Sequence, residues 1–582
     1  MTYADATSLQ RTMQYSYDAV GNTISYTDAL GHTSTNLYDA MRRLTSSTDA
    51  LNHTTSYTYD PAGQLQSVKS PLGYVTNYQY NSVGATTQVT YPDNTFDRSV
   101  YNGGGQLVQN IDQAGHTTGY TYDAIGRTNT ITLAVGTSDQ AMTTYGYDQI
   151  GRLTTVNDAL GHQTTTTYDL TGQVLSTSDA LAHQTVYGYD GGGQQTSMTD
   201  ANNHMTTFTY DSLGRPTKTN YNDGTNTQTV YDPLGRAIQR IDQAGKTSGY
   251  NYDTLGQLLS VTDALNHTTS YGYDANGNLT NITDANNHTT SFGYDALNRQ
   301  IKKTLPDGLF ETVDYDANGN TSARHLLDGL TISMTYDTLN RVSGINFANQ
   351  QSISYSYTSN GQRKSITDPR GTTNYSYDNQ DRVTQVVQPD NSAVGYTYDA
   401  IGNRLSMTTP SNTTNYGYDA NNRLTSANSG SIGVTYTYDN IGLLQHRTLS
   451  SGIVTDYTYD TLNRMTDLVQ HKSVPVAPLA AYHYTLGTAG NRLSVTDQDH
   501  NVTSWTYDDV YRLLSETRAS GVTSTITPTA GSTGAATFVP ATNTPGAAAS
   551  PTASSTPSGT PAVTNGIHPG RSATLTMRSA IG

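Results

Sequence analysis

The sequence predicts an all-β fold: about 24 tandem β-hairpin repeats wound into a spiral, hollow β-shell, with open or closed ends both allowed, and a disordered C-terminal tail. Three observations predict it. A Tyr-Asp step, with Asn or Thr in place of Asp in four copies, recurs 24 times between Tyr17 and Tyr507, and 17 of the 23 intervals are 21 residues long. Each unit holds two short extended runs separated by Asp- and Gly-rich turns. Glutamate is confined to Glu311 and Glu516, so the usual helix chemistry is missing.

The unit is clearest in YGYDANGNLTNITDANNHTTS, residues 271–291. Tyr271 and Tyr273 are two apart, so on a strand they share a face. An aromatic precedes the step by two residues in 18 of 24 copies, with Phe208, Phe292 and Trp505 among them. Asp274 opens a turn by accepting hydrogen bonds from backbone amides ahead of it. Gly277, four residues after the tyrosine, supplies the positive φ that a type I turn closed by a G1 bulge requires. That position is Gly in 16 copies and Asn in four more. Leu279 and Ile282 mark the return strand, and residues 284–288 make the second turn.

One hairpin of this kind buries too little to offset ordering its backbone, at about 1–2 kcal/mol per residue. The hairpins must therefore pair side by side. Open twisted sheets rarely exceed about ten strands without curling, so a sheet of about 48 strands has to wind up. Four of the six non-aromatic residues at the first aromatic position (Asn36, Ser99, Thr166, Thr229) fall every three units. A propeller of four-stranded blades would repeat every two units instead.

In chain order, residues 1–14 read as a partial leading repeat, 15–520 as the repeat shell, and 521–582 as a Thr/Ser/Ala/Pro-rich disordered tail. Enlarged loops are expected at 134–142 and 471–480. The chain carries 582 residues with 34% hydrophobic and 13% charged content. Its net charge of −16 argues against nucleic-acid binding through a basic surface. Without cysteine there is neither a disulfide nor a thiolate metal site. No 18-residue apolar run exists to span a membrane, and no charged-then-apolar leader is visible as a secretion signal.

The residues singled out are the repeat motif itself: Tyr17, Asp18 and Gly21; Tyr59, Asp60 and Gly63; Tyr122, Asp123, Gly126 and Arg127; Tyr210, Asp211, Gly214 and Arg215; Tyr231, Asp232, Gly235 and Arg236; Tyr273, Asp274 and Gly277; Tyr336, Asp337, Asn340 and Arg341. Their role is structural. No catalytic, cofactor or metal site is expected, because nucleophile elbows, zinc-protease and phosphate-loop signatures are absent. GGG at 103–105 and 191–193 falls in ordinary hairpin turns. Asp followed by His four residues on recurs in the second turn, from Asp28/His32 to Asp284/His288. This places imidazoles along one rim, with turn chemistry strongly favoured over metal binding. On that reading, acid loosens the rim below about pH 6 as the histidines gain charge.

YDAIGR at 122–127, YDSLGRP at 210–216, YDPLGR at 231–236 and YDTLNR at 336–341 resemble the YD repeat of the Rhs family. That family includes wall-associated bacterial proteins, shell components of insecticidal toxin complexes, and teneurins. The resemblance covers roughly residues 11–520. It implies a cocoon enclosing a C-terminal polypeptide cargo in polymorphic-toxin-type or cell-surface proteins, secreted or displayed at the cell surface, and not itself an enzyme. The family's closing segment rich in Asp-Pro-x-Gly has no counterpart after Tyr507, and no plug precedes the repeats. The matching strings, beginning at Asp60, Asp232 and Asp368, sit in repeat turns. The chain thus reads as a truncated or minimal member, without plug, autoprotease or toxin domain. The alternative is a cell-surface adhesin or carbohydrate-binding repeat whose tyrosines stack on glycans.

Overall fold

Two kinds of turn, built alike, set the architecture. After Tyr122, Asp123 N–H donates to the Arg127 carbonyl at 2.9 Å and Gly126 N–H donates back to the Asp123 carbonyl at 3.0 Å. The second turn repeats this, with Asp28 N–H on the His32 carbonyl and Gly31 N–H on the Asp28 carbonyl. Both need a residue of positive φ at the same place, and Gly126 (φ 90°) and Gly31 (φ 89°) provide it. Arg42, Asp381 and Tyr511 adopt this conformation where Gly is usual, at φ of 64°, 60° and 63°.

In this computed structural model the described residues are 2–3, 11–349, 351–472, 478–518 and 523–525. They hold strands and turns and no helix. From Gln14–Tyr17 to Thr523–Thr525 each strand pairs antiparallel with the next, in an unbroken ladder of hairpins. Most strands are five or six residues long. The register shifts at each Tyr-Asp step, as at Thr121/Tyr122, where Thr121 faces Thr130 and Tyr122 faces Thr128. This is the bulge the turn demands, and it adds twist at the same point of every unit. The first and last strands of the ladder do not pair with each other, so the ladder is not closed by backbone hydrogen bonds.

One sheet face is apolar and the other hydroxylated. Tyr120 stands opposite Ile131 and Tyr271 opposite Ile282. On the other face Thr121 and Thr130 share a hydroxyl hydrogen bond of 2.7 Å, as do Thr167 and Ser176. Among the described residues the buried hydrophobic ones are Ala134, Ala141 and Ala481 alone. A packed core is therefore absent from the ladder, which is a single layer with both faces open.

The layer curves until it meets itself. Contacts join turns 237 to 269 residues apart in sequence, from Asn202 on Asp439 and Asn276 on Asp28 to Tyr511 on Asp242. One winding thus takes about 23 strands, well beyond the size at which twisted sheets curl. The second turns of the first winding lie against the Tyr-Asp turns of the second, so the spiral closes turn to turn.

Two features differ from the sequence reading. The step assigned to Tyr484 belongs to Leu486: Leu486 faces Arg492 across the bulge, and Gly487 and Gly490 close the turn. The missing Tyr and Asp hid this register. Thr2–Tyr3 and Arg11–Thr12 pair only with each other in a separate two-stranded sheet. The loop at 134–140 falls where expected, between Thr128–Leu133 and Ala141–Tyr147. The second loop is flanked by Met465–Lys472 and Ala480–Leu486, with 473–477 outside the described residues. The tail at 521–582 also lies outside them, apart from Thr523–Thr525.

Candidate functional site: the repeat clasp and the seam

Each motif residue reaches to a different neighbour. Asp123 Oδ1 accepts from the N–H groups of Ile125 (3.1 Å) and Arg127 (2.9 Å), and its Oδ2 accepts from Arg127 Nε at 2.6 Å. The Arg127 N–H, then its guanidinium, hold the Asp123 carboxyl below the usual range. Arg127 Nη1 donates onward to the carbonyl of Asp148 at 3.1 Å, and its guanidinium lies 4.6 Å from the centre of the Tyr147 ring. Tyr122 Oη donates backward to the Leu107 carbonyl at 2.7 Å. The motif thus clasps its own turn, the next tyrosine and the preceding return strand together.

The same set recurs at the other predicted residues. Arg215 bonds Asp211 at 2.6 Å and the Asp232 carbonyl at 2.9 Å; Arg236 bonds Asp232 and the Asp253 carbonyl, each at 2.6 Å. Arg341 bonds Asp337 at 2.7 Å, with Asn340 at φ 60°. Tyr59, Tyr210, Tyr231, Tyr273 and Tyr336 each donate to a carbonyl fifteen residues earlier, at 2.7–3.0 Å. Gly21, Gly63, Gly214, Gly235 and Gly277 all have positive φ. Asp60 accepts from Gln64 N–H at 2.8 Å. Asn22 and Asn278 take the arginine's place on Asp18 and Asp274, at 2.7 and 2.9 Å. Tyr17, on the first strand of the ladder, is 59% exposed.

The sequence reading captured the aspartate and glycine roles and missed those of tyrosine and arginine. A signal was present. The first aromatic position admits Phe208, Phe292 and Trp505, whereas the step itself is never Phe or Trp. Only a hydroxyl reaches the carbonyl.

The second turns form the seam. Asn276 accepts from Ala29 N–H at 3.0 Å through Oδ1 and donates to Asp28 Oδ2 at 2.6 Å through Nδ2. Asn360 does the same to Ala114 N–H (2.8 Å) and Asp112 Oδ2 (2.7 Å), and Asn421 to Ala180 N–H and Asp179. Leu72 N–H donates to Asn318 at 3.1 Å. Further along, Lys246 pairs with Asp509, and Tyr511 Oη donates to Asp242 Oδ2 at 2.6 Å. Burial, then the bond to Asp242, pushes the Tyr511 hydroxyl pKa up. Burial raises Asp28 and Asp179, but hydrogen bonds outweigh it and both carboxyls lie below the usual range. The strongest come from the N–H groups of His32 and His183, followed by the amides of Asn276 and Asn421.

The Asp-x-x-x-His turns therefore do a different job from the one expected of them in acid. Each imidazole lies 2.9–3.5 Å from its own aspartate, from Asp28/His32 and Asp49/His53 through Asp158/His162, Asp179/His183 and Asp200/His204 to Asp263/His267. Protonation creates opposite-charge pairs there, which corrects the expected repulsion. Among the described residues one group has three metal-type ligands within 4.8 Å of one another: Asp112, His116 and Asp381. The Asn360 amide donates into it, to Asp112 at 2.7 Å, Asp381 at 2.8 Å and His116 at 3.3 Å. A side-chain NH₂ thus takes the position a cation would need. A cleft of about 870 Å³ lies along the seam between Asp179, His183, Asn421 and Arg423.

Comparison with known proteins agrees with this geometry. The RHS Repeat family matches in nine segments spanning 17–95, 147–225 and 231–309, and the Teneurin YD-shell family matches 361–477. Among solved structures, a crystal structure of TcdB2-TccC3-Cdc42 superposes with a TM-score of 0.65 at 17% identity, over 90% of this chain and 32% of that one. A Photorhabdus luminescens Tc holotoxin pore carrying TccC3-D651A gives 0.64 at 18% identity, over 89% and 31%. The chain thus spans about a third of the length of the solved chains it matches. At these identities the likeness concerns the fold. No curated protein sequence matches.

Proposed function

The chain belongs to the Rhs, or YD-repeat, family, and from that premise we propose that it is the wall of a container that encloses a polypeptide cargo, in a polymorphic-toxin-type or cell-surface protein. It works outside the cell or on its surface and performs no catalysis itself. The observation that carries this reading is the seam: a coreless sheet winds about 23 strands and fastens onto itself with paired asparagines and aspartates. That construction spends its sequence on enclosing space. One of the structures sharing the fold is named as a Tc holotoxin pore, which supports a toxin setting.

Cryo-electron microscopy of the full chain tests it. A shell surrounding a solvent- or polypeptide-filled volume is expected, with a radius of gyration above the roughly 25 Å of a compact chain of this length. A solid particle or a flat ribbon refutes it. The adhesin reading needs free aromatic faces. Step tyrosines such as Tyr147, Tyr168, Tyr231 and Tyr398 already carry an arginine over the ring at 4.6–5.0 Å. Glycan-array binding lost on mutating the other tyrosines would favour the adhesin.

A further inference from the structure

Each latching turn meets two demands at neighbouring positions. One residue reaches across the seam, and the next needs positive φ. Asparagine answers the first and glycine the second, so Asn276–Gly277, Asn318–Gly319 and Asn360–Gly361 are all Asn-Gly pairs. Elsewhere in the ladder the pair occurs once, at Asn102–Gly103. That turn belongs to the first winding, whose second turns make the seam, so it lies on the rim facing away from the seam, the free rim. In an Asn-Gly pair the side-chain amide closes readily on the following backbone nitrogen, because glycine has no Cβ to obstruct the approach.

The closed seam holds this reaction off. Oδ1 of the three asparagines accepts from the N–H groups of Ala29, Leu72 and Ala114 in the first winding, at 3.0, 3.1 and 2.8 Å. Their Nδ2 atoms also donate outside their own turn: Asn276 to Asp28 and Asn298, Asn318 to Asn340, Asn360 to Asp112 and Asp381. Each amide is thereby pinned away from its own chain. The three glycine nitrogens donate to the carbonyls of Asp274, Asp316 and Thr358, each at 3.0 Å.

We propose that Asn276, Asn318 and Asn360 are deamidation sites guarded by the closed seam, and that their conversion makes separation of the windings irreversible. Once the windings part, the amide loses its partners across the seam and swings back over its own turn. The Gly277 nitrogen attacks Asn276 Cγ, the Cγ–Nδ2 bond breaks, and ammonia leaves with the glycine proton. Water then opens the succinimide at either carbonyl, leaving an aspartate or an isoaspartate and releasing a proton. The same steps run at 318 and 360. Either product prevents re-closure. A carboxylate at 276 meets Asp28, and one at 360 meets Asp112 and Asp381, so like charges face each other where a donor lay at 2.6–2.8 Å. Isoaspartate also lengthens the backbone by one atom and breaks the spacing of the turn. Asn421 is the slow member of the set, because Asn422 follows it in place of glycine. This inference rests on the seam alone and holds with or without a cargo.

The test incubates the full chain at pH 8 in water enriched in heavy oxygen and follows the peptides covering Asn102, Asn276, Asn318, Asn360 and Asn421 by mass spectrometry. One arm stays native. The other holds urea at a level where seam amides exchange but hairpin amides stay protected, and is then diluted. Label should enter at 276, 318 and 360 at least tenfold faster in the opened arm, at an unchanged rate at 102, and slowest at 421. Equal rates in the two arms, or a matching rise at 102, would overturn the proposal. The fraction of molecules regaining seam protection on dilution should fall in step with conversion, and full recovery of converted chains also overturns it. Gly319→Asn with Gly361→Asn keeps positive φ as Asn298 and Asn340 do, at 61° and 60°, and the added Cβ atoms come no closer than 3.7 Å to a neighbour. In the opened arm this variant should slow conversion at 318 and 360 at least tenfold and leave 276 unchanged. Conversion of the variant at the parent rate refutes the chemistry.

Discussion

Removing the Asn360 side chain is the sharpest perturbation of the seam. Asn360→Ala deletes donors to Asp112, Asp381 and His116 and the acceptor for Ala114 N–H. Hydrogen bonds to charged groups contribute about 1.5–3 kcal/mol each when well shielded. Here the partners are about a third exposed, so the two carboxylate bonds together are reckoned at about 2–4 kcal/mol after discounting for solvent. The loss also leaves two carboxylates from different windings facing each other, with only His116 to offset them. Because a repeat ladder opens locally, the readout is hydrogen exchange over residues 110–118 and 357–364 rather than a single melting temperature. Protection there should fall about 30- to 1,000-fold, the range that 2–4 kcal/mol implies. Protection around Tyr210–Arg215, on the free rim, should not change. Ile125→Ala, at the same turn position on that rim, should stay within about 0.5 kcal/mol of the parent. Protection unaltered within about threefold in Asn360→Ala would refute the account of how the windings are held.

Three other outcomes follow from the same geometry. The seam aspartates Asp28 and Asp179 have depressed carboxyl pKa values, so their contribution is complete above the unfolded value near 3.9 and is lost as pH falls through the folded one. The hydrodynamic radius should therefore match at pH 7.5 and pH 5 and grow only below about pH 4; growth between pH 7 and 5 would restore histidine repulsion as the cause. Tyr122→Phe should cost about 1 kcal/mol in urea unfolding through the lost bond to the Leu107 carbonyl, while Tyr120→Phe, one face-neighbour away, should cost less than about 0.5 kcal/mol. Gly126→Ala should cost about 1–2 kcal/mol, because φ of 90° is strained for alanine and the new Cβ would sit 3.2 Å from Gln106 Nε2.

Much of this was legible in the residues. The period, the aspartate and the positive-φ glycine are local chemistry, and each turn obeys them. The backward bond of the tyrosine and the forward reach of Arg127 join adjacent units, and only the exclusion of Phe and Trp from the step hinted at the first. The seam was not legible for a different reason. It joins Asp28 to Asn276 and Asp112 to Asn360, partners brought together by the summed curvature of about 23 strands. No short window encodes that sum. Its traces are visible only afterwards: asparagines at 276, 318, 360 and 421 where the first winding carries Met41 or Ile125, and the end of the Asp-x-x-x-His turns after His288. The register near Leu486 was misread because both landmark residues had been replaced.

The offset between facing turns has a consequence for how such a chain can change over generations. Gain or loss of a single hairpin leaves every local ladder intact yet slips the later circuit past the earlier one by a full notch, presenting Asn360 to the wrong tooth. The loop at 134–140 shows a tolerated alternative, since its extra residue Asp139 meshes with Asn379 at 2.7 Å instead of displacing its neighbours. Lineages of this protein should vary in loop length freely and in unit number only when both layers shift in phase.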